Sequence, residues 1–199
     1  MAAETAGFDD AWIAEHHFMS YGTCPSAITF AAHALGHTSR IGIGTAVSVL
    51  STTHPVALVE QDDLLDQLSD GRLHLRVGHL DPQGVHHVST VLTHVADSRD
   101  QAVAAVRESM LGWLAEELAG YEPIDGRARP RRDHRRYTNL QCDLHPVGTP
   151  EACVARLRAS AERTGIRHVI MLVEGAGSRA ATLANIARLG TEALPRLRE

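Results

Sequence analysis

Apolar and polar positions along the 199 residues alternate between short apolar runs and longer amphipathic ones. The short runs predict strands at Ala11–His16, Ile41–Leu50, Leu73–Val77, Val88–Val95 and His168–Val173, each partly β-branched and bounded by Gly, Asp or Arg. The longer runs predict helices over Pro25–His37, Val56–Leu68, Arg99–Gly120, Pro150–Thr164 and Arg179–Leu194. Several starts are explicit. Thr149-Pro150-Glu151 offers a hydroxyl cap, a first-turn proline and an acid beside the helix dipole. Ser98 with Gln101 reads as a capping box, Ser178 can cap the last helix, and Gly165 is a stop signal. Strands alternating with helices predict an α/β fold, a parallel sheet with helices outside. The chain reads as a single domain, 1–199, with an irregular loop over 121–137 that holds Pro123, Gly126, Pro130 and a cluster of arginines.

Composition narrows the chemistry. All 19 basic residues are arginine, so lysine Schiff bases and P-loops are excluded. A net charge of −5 disfavours general nucleic-acid binding, and the Arg127–Arg136 cluster lacks interleaved aromatic platforms. No apolar run nears the ~20 residues of a membrane span, and the first residues lack the basic start of a secretory signal. Three unclustered cysteines, Cys24, Cys142 and Cys153, fit a reducing cytoplasm rather than a disulfide framework. His33 and His37 stand four apart on one helix, but no Cys or carboxylate pattern completes a metal site, and no metal is expected.

Three blocks carry a family resemblance. They are Ala6-Gly7-Phe8-Asp9-Asp10-Ala11-Trp12-Ile13-Ala14-Glu15-His16-His17-Phe18; the stretch from Thr38-Ser39-Arg40-Ile41 through Gly44-Thr45-Ala46-Val47 and His54-Pro55 to Leu64-Leu65-Asp66-Gln67-Leu68-Ser69-Asp70-Gly71-Arg72; and His145-Pro146-Val147-Gly148-Thr149-Pro150-Glu151, continuing to Thr164-Gly165-Ile166. In this order they resemble the bacterial luciferase-like flavin-dependent monooxygenases. Members of that family are (β/α)8 TIM barrels of ~250 residues or more. Five strand candidates therefore imply a truncated or incomplete barrel, lacking the first strand and about two strands of the middle.

The resemblance implies reduced FMN as cofactor, dioxygen as co-substrate and a small organic molecule as substrate. It gives His16 a general acid/base role at the end of the first strand, where barrel folds place catalytic groups and where imidazole suits proton transfer near neutrality. It implies that Glu15, Ala46 and Val47 line the flavin ring, with a cis peptide in the backbone against it. The other reading of Glu15 and His17 is that they cap the strand end and bond neighbouring backbone. Where the family carries a phosphate-binding arginine, this chain has His79, which offers one charge-assisted contact instead of two. Flavin binding is accordingly expected to be weak or lost in the isolated chain. The alternative function is a catalytically degenerate flavin-binding protein or partner subunit of a luciferase-like complex. In luciferase-like dimers the helix matching Val56–Leu68 lies between subunits, which implies a homodimer or a heterodimer with a longer homologue.

Overall fold

The computed structural model describes residues 1–17, 23–75, 88–117, 133–173 and 177–199. They form two compact units, 1–86 and 87–199, each described by itself.

In the first unit a short helix α1 (Ala2–Thr5) precedes β1 (Asp10–Ile13), α2 (Ala27–Gly36), β2 (Gly42–Thr45), α3 (Pro55–Leu68) and β3 (Leu73–His74). The strands pair in the order β1-β2-β3, all parallel, with Ala11 beside Ile43 and Ile43 beside Leu73. Successive side chains of a strand point to opposite faces. One face, Ala11, Ile13, Ile43, Leu73 and Leu75, packs on Ile28, Ala31 and Leu35 of α2 and Leu58 of α3. The opposite face carries Asp10 and Trp12 of β1, Gly42 and Gly44 of β2, and His74 of β3. Trp12 and His74 stack, and His74 Nε2 lies 3.2 Å from Asp10 Oδ1. These side chains lie over the two glycines: a Cβ at Gly42 would strike Asp10 and His74, and one at Gly44 the Trp12 ring. Here glycine is required for space, not for φ.

Two charged side chains fasten this unit. Arg72 donates from Nε to the Ser69 carbonyl, from Nη1 to Thr38 Oγ1 and the Ile41 carbonyl, and from Nη2 to the Leu35 carbonyl. One guanidinium thus satisfies carbonyls at the ends of two helices and the start of β2, a fan that an ammonium cannot reproduce. Glu4 Oε1 accepts from the backbone N–H groups of Ser39, Arg40 and Ile41. These hold its carboxyl down at about 2.

The second unit begins with β4 (Val88–Leu92) and β5 (His94–Val95), then α4 (Arg99–Glu117), α5 (His134–Leu144), β6 (Val147–Gly148), α6 (Pro150–Thr164), β7 (His168–Leu172) and α7 (Arg179–Arg188). A π-helical turn, Leu189–Ala193, leads into α8 (Leu194–Arg198). β4 pairs in parallel with β7, and β5 in parallel with β6. The expected strand Val88–Val95 is therefore a single extended run whose halves pair on opposite edges. Where β7 ends, the Thr93 N–H still reaches the Leu172 carbonyl. Beyond it the Asn185 side chain takes over that edge: Oδ1 accepts from Val95 N (3.0 Å) and Nδ2 donates to the Thr93 carbonyl (2.9 Å). Asn185 is 2% exposed, and its amide stands in for the peptide of an absent neighbouring strand. Leu92, Ala102, Val106, Cys142 and Val147 form the core cluster of this unit.

The capping signals at Thr149, Ser178 and Ser98 hold: they accept from the N–H groups of Ala152, Ala181 and Gln101. Ser26 caps α2 as well, accepting from Thr29 N, a start that the sequence reading did not name. Gly165 ends α6 at φ +74°. The parallel pairing holds, and the described strands do not close into a barrel. Other expectations change. β2 stops at Thr45 rather than Leu50. α5 begins at His134, inside the stretch read as irregular, with Asp133 accepting from Arg136 N as its cap. Residues 121–132 of that stretch, Arg76 and His79 lie outside the described residues. The last helix is interrupted because Pro195 has no N–H to give to the preceding turn.

Replacing Asn185 with leucine keeps the branched shape and strands two buried backbone groups, at a cost of about 3 kcal/mol. We expect Tm to fall by roughly 6–12 °C in a calorimetric scan of the full chain. An unchanged Tm would show that the amide adds nothing to this edge.

Candidate functional site

The C-terminal ends of parallel strands are where βα folds assemble their sites. Here the ends of β1 and β2 lie side by side, joined by the bond from Ala46 N to the Ile13 carbonyl (2.7 Å). β1 runs on into Glu15-His16-His17, and β2 into Ala46-Val47-Ser48-Val49. The structure therefore brings Glu15, His16, Ala46 and Val47 to one end of one sheet. The peptide between Ala46 and Val47 is cis. Ala46 and Val47 are exposed while Thr45 and Ser48 on either side are buried. A small and an apolar side chain thus face outward on otherwise closed backbone, a surface suited to a flat ring.

His16 is half-buried beyond the end of β1, and its backbone N–H donates to the Cys24 carbonyl (3.0 Å). Glu15 is held differently. Its Oε2 accepts from Ala27 N, the first residue of α2 (3.0 Å). Its Oε1 accepts from Val49 N (3.2 Å) and faces His17 Nε2 at 2.8 Å. Burial raises the Glu15 pKa, but these bonds outweigh it and leave the carboxyl below its ordinary value. His17 Nε2 also lies 3.4 Å from Thr52 Oγ1, which donates to the Val49 carbonyl (2.8 Å). Sequence reasoning named Glu15 and His17 but not Val49 or Thr52. Val49 takes part through its backbone, which every residue has, and Thr52 bears no motif.

Among the described residues no group of three His, Cys, Asp or Glu is placed to hold a metal ion. The His33 and His37 rings lie 4.3 Å apart on the exposed side of α2, and His37 Nδ1 faces the His33 carbonyl at 2.8 Å. No described helix is long and apolar enough to cross a membrane.

Parallel βα units with a polar cluster at the strand ends place this unit among the α/β folds that assemble their sites at the strand tips. Residues 1–86 match the model of the luciferase-like monooxygenase family. The chain is 48% identical over 71 residues to the alkanal monooxygenase alpha chain of the Kryptophanaron alfredi symbiont, covering 36% of this chain and 20% of that protein. It is 35% identical over 94 residues to the alkanal monooxygenase beta chain of Aliivibrio fischeri, covering 47% and 28%. The matched stretch thus spans about a fifth to somewhat over a quarter of these relatives' length. At the level of fold, the chain is similar to the oxygenating constituent of 3,6-diketocamphane monooxygenase of Pseudomonas putida, solved with FMN. That match has a TM-score of 0.73 at 14% identity, covering 98% of this chain and 90% of that one. A coenzyme F420-dependent tetrahydromethanopterin reductase of Methanopyrus kandleri matches with a TM-score of 0.64 at 13% identity, covering 98% and 93%.

The carboxylates give a pH dependence of definite sign. Glu4 and Glu15 both bind protons less readily folded than unfolded. Their contribution is complete above the unfolded value near 4.5 and is lost as pH falls, for Glu4 through about 2. We expect unfolding free energy to drop between about pH 5 and pH 2. Glu15→Gln should make that drop shallower than in wild type when followed by denaturant titration at each pH. Superimposable profiles would remove Glu15 from the account.

Proposed function

We propose that the chain is a luciferase-like flavin-dependent monooxygenase that uses reduced FMN and dioxygen on a small organic substrate. In this reading both units are parts of one truncated (β/α)8-like domain in the cytoplasm. The observation that supports it is that His16, and Ala46 with Val47, follow the ends of adjacent strands, inside the segment that matches the family.

The residues present fit a flavin. Ala46 and Val47 offer an exposed, small and apolar floor on which a planar ring can rest without a side chain intervening. Bound reduced FMN would supply the electrons that activate dioxygen. His16 then takes up and releases the proton that accompanies oxygen transfer, and its backbone bond to Cys24 fixes where that imidazole starts. The chain has histidine at position 79 where the resemblance expects an arginine, and an imidazole can offer a phosphate one charge-assisted contact instead of two, so we expect modest affinity. The names of the alkanal monooxygenase relatives make aliphatic aldehydes the first substrates to test.

A second reading is a degenerate partner subunit, favoured by the likeness to a beta chain as well as to alpha chains. Anaerobic titration of the full chain with dithionite-reduced FMN separates the two. We expect saturable binding, and aldehyde-dependent oxygen uptake that falls about 100-fold or more in His16→Ala. Binding without turnover supports the partner reading, and no binding at millimolar flavin overturns the self-sufficient enzyme.

Assembly belongs to the same proposal. Val56, Val59, Leu64 and Leu68 of α3 are exposed, the last two at 57% and 75%. Phe30 of α2 is exposed as well. Leu65, by contrast, packs on the core of the first unit. We propose that the exposed set is the contact of a homodimer or of a heterodimer with a longer homologue. Leu64→Asp with Leu68→Asp should convert a dimer into a folded monomer by sedimentation equilibrium, because charge is costly where apolar surface is buried. A wild-type monomer at tens of micromolar refutes the homodimer.

A further inference from the structure

We infer that Glu15 is the positioning residue of this site: its carboxylate ties the 46–52 segment to the end of β1 and to the start of α2, and so presets the floor formed by Ala46 and Val47. The inference rests on the flavin reading for its purpose, while its geometry is independent of any ligand. The Glu15 side chain is only 6% exposed, and a buried carboxylate persists only when donors surround it. Three do, from three places in the chain: Ala27 N, Val49 N and His17 Nε2. Oε2 sits at the first N–H of a ten-residue helix, where negative charge is favoured by the helix dipole. Oε1 closes a circuit from Glu15 to Val49, from Val49 through Thr52 Oγ1 to His17, and from His17 back to Glu15.

Both oxygens are engaged by the protein, so Glu15 acts on a ring through the 46–52 segment and not by touching it. The side chain is also specific. Glutamine keeps the length but has one acceptor oxygen, and its NH2 would face a backbone N–H. Aspartate keeps the charge but is one methylene too short to span Ala27 N and Val49 N together.

The test is amide hydrogen exchange on the full-length, flavin-free chain, paired with titration by reduced FMN. In Glu15→Gln we expect the Val49 or the Ala27 amide to exchange roughly tenfold faster, with Val95 in the second unit unchanged. Reduced FMN should bind roughly tenfold more weakly. Wild-type protection at both Val49 and Ala27 overturns the inference, as does a loosened 46–52 segment that leaves flavin affinity intact. Should Glu15→Gln fail to fold, Glu15→Asp carries the same test: lost protection at Val49 supports the inference and retained protection at both amides overturns it. A wild-type chain that binds no flavin sinks the functional reading alone, because the exchange measurement needs no flavin.

Discussion

The first unit depends on a constraint in its middle strand. β2 is buried over all four residues and hydrogen-bonded on both edges, so its backbone has no freedom to yield. One of its faces gives Ile43 to the helices, and the other gives nothing but the space above Gly42 and Gly44. Asp10, Trp12 and His74 take that space. The strand must then leave the sheet at Thr45, and the residues just after it are those left open. The exposed Ala46-Val47 surface is thus a consequence of how tightly the strand before it is enclosed.

Arg72 and Glu15 complement each other within this frame. Arg72 collects carbonyls where the helices end, and Glu15 collects N–H groups at the opposite end of the sheet, where α2 begins. Each charge is matched to backbone groups that lack a partner in their own element. One end of the unit is therefore held by Arg72 together with the Glu4 carboxylate, and the other by Glu15. Among the described residues, the Glu15 end adjoins the exposed Ala46 and Val47.

The alternation of apolar runs made the α/β class and parallel pairing legible, and Thr149, Ser178 and Gly165 set helix ends correctly. Strand lengths were less legible. Val47 and Val49 have strand propensity, yet they lie past the point where β2 has a neighbour to bond. α5 was hidden because prolines and arginines just before it obscured the Asp133 cap and the buried pair Thr138 and Cys142. At the candidate site, the resemblance pointed to Glu15, His16, Ala46 and Val47, which the structure brings to one end of one sheet, while His79 lies outside the described residues. The circuit through Val49 and Thr52 runs largely along backbone, and side-chain pattern carries no trace of it.

Asn185 has a consequence for how the protein meets other chains. A strand edge with free N–H and C=O groups is a template for any extended peptide that approaches it. β4 and β5 outrun β7 on that edge, and one side-chain amide fills the gap. The amide satisfies Val95 N and the Thr93 carbonyl, yet it brings no backbone running alongside them, so no ladder continues from it. With these two rungs already bonded, this edge is a poorer template for a strand of a second molecule.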